Sequence, residues 1–316
     1  MGGRTAGDDE VAAWQQGGWV LLEGLIDADE IDAAADELAE VFPSPKEYHA
    51  DPAGTRARWL GQPPPSHELW VWPPDGPGFR PEQHRWHALF PLPGQRLNRL
   101  FVHPSIVDFA ERALATTDIR CYQAQVSAKY AGETNFEQPM HTDRNHSWLP
   151  AVPRPPWWHL ETFLYLSDVG EGNAPTHLVP IDVTADRSTT VPLIMPDRHP
   201  EIYAAELGAP GRRGSLLAYR TDVFHRAVDL TDPTAHRYLL NVSYKVAGQD
   251  WINYHVQQSN STSLEWVGFV EGCTPRELEL FGFPPPGHPI WDLDLVKETA
   301  RLYPKLDLEP WLTALA

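Results

Sequence analysis

The sequence predicts a mainly β protein, a β-sandwich or barrel with an N-terminal helical layer. From about residue 118 onward, short apolar runs alternate with turns rich in Gly, Pro and Asp, a pattern typical of such β folds. Proline accounts for 32 of the 316 residues, about twice its usual share, which argues against a helical bundle. With no internal repeat, we expect a single domain over residues 1–316.

The N-terminal layer is predicted over about residues 1–117. Asp27 can cap a helix whose apolar residues share one face, and Pro43 would end that helix. Glycine and proline dominate the stretch that follows, which therefore reads as ordered loop. We expect helices at about 25–43, 94–101 and 104–115, and the ordered loop at 61–94.

The β-core is predicted over about residues 118–250, and a C-terminal extension, a loop and one short helix, over about 251–316. Residues 119–130 alternate between two faces, as a strand does. Tyr122, Ala124, Val126 and Ala128 are expected on one face, and Gln123, Gln125, Ser127 and Lys129 on the other. Further strands are expected within 159–169, 176–183, 214–220, 223–230 and 237–246.

Charge and cysteine content narrow the class of function. The formal net charge of −18 repels phosphate backbones and anionic membranes, so we expect no nucleic acid or membrane partner. Cys121 and Cys273 are too few for a disulfide scaffold and indicate reduced thiols in a cytoplasmic protein. The N-terminus has no apolar signal core, and no apolar run is long enough to span a membrane. A small-molecule substrate is the expected partner.

The segment QPMHTD, residues 138–143, contains the strongest candidate site. Side-chain direction repeats every two residues on a strand, so His141 and Asp143 would point to the same side. His225 lies on a later predicted strand and can supply a second imidazole. Two histidines and one carboxylate form the facial triad of non-haem Fe(II) oxygenases, which leaves three coordination positions open.

Two alternatives bear on this metal site. His49 and Asp51 have the same spacing but no strand beneath them, so we expect no metal there. A single strand histidine such as His225 more often fills a barrel wall. Arg237 favours the metal site, because an antiparallel hairpin through residues 229–236 would return its guanidinium beside His225, where it could grip a carboxylate.

On these residues the chain resembles the phytanoyl-CoA dioxygenase family of Fe(II)- and 2-oxoglutarate-dependent oxygenases. The similarity covers about residues 15–250 and is carried by the segments 138–143, 163–180 and 214–245. The resemblance implies a double-stranded β-helix, or cupin-like jelly roll. It also implies Fe(II) held by His141, Asp143 and His225, with Arg237 on the distal carboxylate of 2-oxoglutarate and O2 as the oxidant.

The chain departs from the family pattern at several positions. Ala174 replaces a usual Gly, and the "GSH" that customarily follows Pro180 is missing. These loop changes bear on substrate type and are not expected to affect the iron site. Ala227 stands where many members have a Ser or Thr that touches 2-oxoglutarate, so another donor must serve.

Two residues are candidates for that donor, Thr162 and Gln125. Lys129 shares the face of Gln125 but is equally well explained as a charge on the barrel rim. Because halogenating relatives lack the carboxylate that Asp143 supplies, hydroxylation of a small organic substrate, with release of succinate and CO2, is the expected outcome.

The segment 144–158 is expected at the mouth of the barrel. Trp148, Trp158 and His146 are candidates for contact with the substrate, and Trp157 is a further aromatic there. The alternative is that the tryptophans cover the core. Residues 250–256 are a weaker candidate, and the aromatics and prolines together suggest an apolar pocket.

Two other functions remain open at this point. A cupin-like isomerase or hydrolase would use the metal without 2-oxoglutarate, which Arg237 disfavours. A non-catalytic jelly-roll binding protein would use the three candidate ligands only to connect strands.

Overall fold

A computed structural model describes residues 2–60, 75–143, 155, 157–187, 193–249, 252 and 264–315. Its centre is a pair of antiparallel sheets. The strands are β1 (Trp19–Leu22), β2 (His87–Leu89), β3 (Ile119–Tyr130), β4 (His159–Tyr165), β5 (His177–Leu178), β6 (Leu207–Gly208), β7 (Leu216–Arg220), β8 (His225–Arg226) and β9 (His236–Val246). The major sheet has the order β1-β7-β4-β9-β3-β2 and the minor sheet the order β6-β5-β8. This is the predicted jelly-roll core with flanking helices.

Helices flank the sheets and contribute to one large apolar core with the outer face of the major sheet. They are α1 (Asp8–Gly17), α2 (Ala28–Ala35), α3 (Pro45–Ala50), α4 (Pro52–Leu60), α5 (Gln95–Leu100), α6 (Pro104–Ala113), α7 (Pro200–Ala204), α8 (Leu264–Glu271), α9 (Pro275–Leu280), α10 (Leu293–Leu302) and α11 (Glu309–Leu315). Among the described residues, no helix is long and apolar enough to cross a membrane.

The helix predictions hold in part. The pair expected at 94–101 and 104–115 is confirmed as α5 and α6. The first predicted helix is interrupted: α2 ends at Ala35 and the chain continues as a 3-10 turn over Asp36–Glu40. The C-terminal extension was predicted to hold one short helix, but α8 to α11 all lie there.

The N-terminal layer also supplies both edges of the major sheet. β1 pairs with β7, and β2 pairs with β3. β2 lies within the stretch predicted to be ordered loop, of which residues 61–74 are outside the described part. These short strands cover the hydrogen-bonding edges that long strands would otherwise expose.

A bulge in β3 changes the predicted alternation of side chains. The ladder between β3 and β9 shifts register between Cys121 and Gln123. Cys121 and Ala124 therefore both belong to the outer apolar core, while the hydroxyl of Tyr122 reaches interior side chains. The prediction that Tyr122 shares a face with Ala124 was wrong, because a bulge places two residues opposite one.

The predicted hairpin between His225 and Arg237 does not form. β8 pairs with β5 in the minor sheet, whereas β9 pairs with β3 and β4 in the major sheet. The connecting residues cross from one sheet to the other. Arg237 accordingly pairs across strands with Lys129 rather than with β8.

Candidate metal centre

Three side chains from separate segments converge between the two sheets. His141 and His225 form an antiparallel bridge, with backbone N–H···O distances of 3.0 and 2.8 Å. Asp143 lies two residues beyond His141, and its Oδ2 is 3.5 Å from Nε2 of His225. One ligand atom from each residue lies within 4.8 Å of the other two. Within the described part of the chain, this is the one such group with metal-ligand chemistry.

Backbone carbonyls fix the orientation of both imidazoles. Nδ1 of His141 is 2.8 Å from the carbonyl oxygen of Pro139, and Nδ1 of His225 is 3.1 Å from that of Val223. A carbonyl only accepts, so each Nδ1 carries the proton and donates. The lone pair of each ring therefore lies on Nε2, the usual arrangement of a metal-binding histidine.

Tyr219 on β7 orients the carboxylate. Its hydroxyl donates to Oδ2 of Asp143 at 2.8 Å, and its ring centroid is 4.7 Å from that of His225. Burial, with the charge of Asp143, raises the pKa of Tyr219 well above its usual value, so the hydroxyl keeps its proton and donates. Tyr219 was not among the residues predicted from the sequence, although strand alternation in GSLLAYR was the available signal.

A pair of buried cations faces the same interior. Arg237 is 6% exposed and Lys129 is 9% exposed. Arg237 donates through Nη1 to the carbonyl oxygen of Ala174, while the Lys129 ammonium lies 4.6 Å from the ring centroid of Phe136. In the described part of the chain, neither Nε of Arg237 nor Nζ of Lys129 has a hydrogen-bond partner. Burial lowers the pKa of Arg237 to about 10 and that of Lys129 well below its usual value.

Two histidines extend this basic region. His87 on β2 pairs across strands with Ser127, and its ring centroid is 5.0 Å from that of His84. Burial lowers the pKa of His87 to about 3, and the neighbouring charges of His84, Lys129 and Arg237 add to the effect. Among the described residues, both cations thus have neutral imidazoles beside them and no carboxylate hydrogen-bonded to them, while the charges of Asp229 and Glu137 act on Lys129 without a direct bond.

Ala174, which replaces a Gly usual in the resembled family, lies next to this basic region. Ala174 is fully buried and has the left-handed conformation, with φ 58° and ψ 58°. That backbone geometry directs its carbonyl oxygen to Arg237. The loop change therefore reaches a side chain expected to hold the cosubstrate.

The two predicted donors lie on opposite faces of the major sheet. Gln125 pairs with Asn241 across strands and shares the interior face with Lys129. Thr162 alternates with Leu160 and Leu164, which belong to the outer core, and its hydroxyl donates to the carbonyl oxygen of Val242 at 2.6 Å. Its side chain bonds strand to strand on the face away from Arg237.

The structure describes only some of the residues predicted to contact the substrate. His146 and Trp148 lie outside the described residues, as does the stretch 253–256. Trp158 packs edge-on against Trp14 at 5.5 Å between ring centroids, with the guanidinium of Arg220 5.2 Å over its ring. The core-covering alternative is therefore the one that Trp158 adopts. Trp157 is 41% exposed.

A second polar group lines the interior near the metal ligands. The carboxylate of Glu161 is fully buried and accepts hydrogen bonds from Tyr122 and Ser243. The Tyr122 hydroxyl is also 3.2 Å from Nδ1 of His159, whose Nε2 contacts the hydroxyl of Thr221. Neither His159 nor Glu161 was among the site residues predicted from the sequence. Their spacing of two on β4 was the available signal.

The other HxD pair has a local structural role. His49 lies in α3, and Asp51 follows that helix. The Asp51 carboxylate accepts a hydrogen bond from the backbone N–H of Gly54 at 2.9 Å, at the start of α4.

Several solved structures have a similar fold, and two of those described below are named as α-ketoglutarate enzymes or complexes. The non-haem α-ketoglutarate-dependent carbocyclase SnoK from nogalamycin biosynthesis matches at TM-score 0.54 and 18% identity, over 83% of this chain and 93% of that chain. EctD from S. alaskensis matches at 0.53 and 18%, over 80% and 85%. The epimerase SnoN, in complex with Fe3+, α-ketoglutarate and nogalamycin RO, matches at 0.50 and 18%, over 76% and 83%.

No protein-family model and no curated protein matches the chain. At 18% identity these likenesses establish the fold, the double-stranded β-helix of that class of enzymes.

Proposed function

We propose that this protein is an Fe(II)- and 2-oxoglutarate-dependent oxygenase, similar to the phytanoyl-CoA dioxygenase family. It oxidises a small organic substrate by hydroxylation and releases succinate and CO2. The observation that carries the proposal is the buried cation pair, Arg237 and Lys129, on the interior face of the sheet that also carries Tyr219, the partner of Asp143. A metal site without a dicarboxylate would leave that pair with no carboxylate hydrogen-bonded to it among the described residues.

The donor set fits Fe(II). Two imidazole nitrogens and one carboxylate oxygen form the facial triad typical of this class, and the group's 4.8 Å span is compatible with one shared ion. Pro139 and Val223 hold the imidazoles through their carbonyls, and Tyr219 holds Asp143. Such supporting hydrogen bonds tune metal sites and their affinity. With iron, 2-oxoglutarate and O2 bound, the cofactors supply the oxidising chemistry that these side chains lack.

The unpartnered cations fit the far carboxylate of 2-oxoglutarate. Arg237 is already held at one end by the Ala174 carbonyl, which leaves Nε to donate to an anion. Lys129 supplies a second cation in place of the Ser or Thr that Ala227 replaces. Gln125 lies on the same interior face and is proposed as a further hydrogen-bond donor. Desolvation makes each contact to a bound carboxylate stronger than it would be in water.

Hydroxylation is the proposed outcome because Asp143 is itself the third protein ligand, the carboxylate that halogenating relatives lack. The fold alone does not select the outcome, since SnoK is named a carbocyclase and SnoN an epimerase. The protein's part is to hold the substrate's C–H bond beside the metal and to exclude water.

Anaerobic titration of the iron-loaded protein with 2-oxoglutarate tests the proposal through the weak visible charge-transfer band. We expect Arg237→Met and Lys129→Met each to weaken 2-oxoglutarate binding by about 30-fold or more. Lys129→Met should also stabilise the ligand-free protein by about 1 kcal/mol, because it removes a buried ammonium that has no hydrogen-bond partner among the described residues. Denaturant unfolding measures that change.

The matched control is Arg213→Met, since Arg213 is a partly exposed surface cation paired with Asp32. It should bind 2-oxoglutarate like the unmodified protein. No band in the unmodified protein, or unchanged affinity in Arg237→Met, would contradict the proposal.

A further inference from the structure

Lys129 differs from the other lysines of the chain in its surroundings. The exposed ones are Lys46, Lys297 and Lys305. The Lys245 ammonium is buried but donates to the carbonyl oxygens of Gln249 and Ile252, both at 2.9 Å. Lys129 is buried as well, and within the described part of the chain its Nζ has no hydrogen-bond partner. Its nitrogen is therefore held away both from water and from hydrogen-bond acceptors.

A second buried cation lies beside Lys129 on the next strand. Arg237 is its partner in the ladder between β3 and β9, so the two side chains share one face, with Cβ atoms about 5 Å apart. His84 and His87, whose pKa values are lowered, are neutral imidazoles and supply no negative charge. Two like charges so placed repel each other. The repulsion favours loss of a proton from Lys129, because a guanidinium does not lose its own.

Burial and this repulsion act together on the ammonium. Burial lowers the pKa of Lys129 well below its usual value, and the charge of Arg237 lowers it further, against the charges of Asp229 and Glu137. Both carboxylates have donors of their own, Glu137 in Arg226 and Asp229 in a backbone N–H. Lys129 therefore reaches the neutral amine form, which is a nucleophile, more readily than an exposed lysine does.

We propose that Lys129 is a carbamylation site, at which the amine adds CO2 to form a carbamate that pairs with Arg237. The nitrogen forms a bond to the carbon of CO2, one carbon–oxygen π bond opens to give the carboxylate, and the nitrogen releases one proton to solvent. Nothing is oxidised or reduced. The step replaces two neighbouring like charges with an ion pair, in which the carbamate can accept from Nε of Arg237, an atom with no hydrogen-bond partner among the described residues.

The carbamate takes the position that the proposed function gives to the far carboxylate of 2-oxoglutarate. It is itself a carboxylate beside Arg237, and it removes the positive charge that Lys129 offers to that ligand. The carbamylated protein therefore binds 2-oxoglutarate weakly. Because CO2 is a product of the proposed reaction, the modification acts as product inhibition. This consequence rests on the proposed function, whereas the modification itself needs only dissolved CO2.

Trapping on the ligand-free protein tests the modification. The probe is isotopically labelled bicarbonate, which supplies CO2, followed by O-alkylation with triethyloxonium, which makes a carbamate permanent. Peptide mass spectrometry should find the label on Lys129, and carbon NMR of the untrapped protein should show a carbamate signal that saturates with bicarbonate. Lys129→Arg should remove that signal, because a guanidinium is not a nucleophile. Arg237→Met should weaken CO2 binding about tenfold or more, because the counter-charge is lost.

Lys297→Met is the matched control, since Lys297 is an exposed lysine 3.0 Å from the carboxylate of Asp294. It should keep the full signal. Absence of label from Lys129 at saturating bicarbonate would overturn the proposal, and so would an equal signal in Lys129→Arg. Because trapping assigns the residue in the unmodified protein, the test does not depend on the folding of any variant.

A second titration separates this proposal from the proposed function. With bicarbonate about ten times above half-saturation, 2-oxoglutarate binding to the anaerobic iron-loaded protein should weaken about tenfold, as read from the charge-transfer band. Lys129→Arg, which keeps the positive charge, should show no such effect, and equal weakening in both proteins would overturn the inhibitory role. Label on Lys129 without any band would refute the proposed function and leave the modification in place. A band without label would do the reverse.

Discussion

The major sheet and the minor sheet hold their functional side chains by different means. In the major sheet, β3 and β9 run 12 and 11 residues, and the ladder that is unbroken from Gln123 to Tyr130 positions Lys129 and Arg237. In the minor sheet, β8 has only two residues, one of which is His225. So short a strand has few backbone hydrogen bonds to fix a metal ligand.

A cluster of ion pairs compensates for the short ladder. Arg226 follows His225 and donates to both oxygens of Glu206, from Nε at 2.6 Å and from Nη2 at 2.8 Å. It also donates to Glu137, just before the HxD segment, and His177 lies 3.2 Å from Glu206. Side chains thus anchor the minor sheet, whereas backbone pairing anchors the major sheet.

Removing the metal ligand of the minor sheet should have the largest effect. We expect His225→Ala to reduce Fe(II) affinity by more than about a hundredfold, since loss of a ligand exceeds the loss of its supporting contacts. Anaerobic calorimetry measures the affinity. His199→Ala, a change in a half-exposed histidine bonded to Glu201, is the control. Unchanged affinity in His225→Ala would remove His225 from the site.

Breaking the ion-pair cluster should have the next largest effect. Arg226→Met leaves Glu206 and Glu137 without their cation, which should lower the free energy of unfolding by about 3 kcal/mol. We expect Fe(II) affinity to fall by about 10- to 100-fold, because His225 is less well held. Arg226→Lys should retain only part of the stability and only part of the Fe(II) affinity, since Lys cannot make the bidentate contact.

Arg187→Met is the matched control for Arg226, because it breaks a surface pair with Glu201. It should change the free energy of unfolding by less than about 0.5 kcal/mol. If the two arginine variants behaved alike, the cluster would have no special role in the minor sheet.

Acidification should weaken the minor sheet through Glu206. Burial alone would raise the pKa of Glu206, but its bonds to Arg226 and His177 lower the value to about 2. A carboxylate whose pKa is lower in the folded state stabilises that state above its unfolded pKa, near 4.5. This contribution should therefore be lost as the pH falls from about 4.5 to about 2. Denaturant unfolding across that range should show that the free energy of unfolding depends less steeply on pH in Glu206→Gln than in the unmodified protein. An equal slope in the two proteins would contradict this role of Glu206.

Relieving the backbone at Ala174 should have the smallest effect. Left-handed geometry costs an alanine about 1–2 kcal/mol, and glycine's extra unfolded-state entropy offsets about half of that gain. We expect Ala174→Gly to raise the free energy of unfolding by about 0.5 kcal/mol and to leave 2-oxoglutarate affinity unchanged. Ala115→Gly is the comparison, since Ala115 also has a positive φ, 54°, and its change in the free energy of unfolding should be similar. A destabilised Ala174→Gly would contradict this account.

Local sequence patterns predicted a β-sandwich or barrel and the candidate ligands, and the family resemblance implied the jelly roll. His141 and Asp143 share a side because their spacing is local. His225 was chosen because it lies on a later predicted strand, Arg237 through a predicted hairpin, and the resemblance implied their roles. The sheet to which β8 belongs is not encoded locally, since two residues have no detectable period, so the hairpin prediction failed. A shift of one residue reverses every facing, which explains Tyr122 at the bulge. Strand alternation could have predicted that Glu161 and Tyr219 face the interior, but their partners Ser243 and Asp143 depend on how the strands pair.

A crystal structure of the protein with Mn(II) and 2-oxoglutarate tests the central claim most directly. The account predicts the ion on Nε2 of His141, Nε2 of His225 and the carboxylate of Asp143. It predicts the far carboxylate of 2-oxoglutarate within hydrogen-bond distance of both Arg237 and Lys129. A metal bound elsewhere, or a dicarboxylate whose far end lies away from both cations, would contradict it.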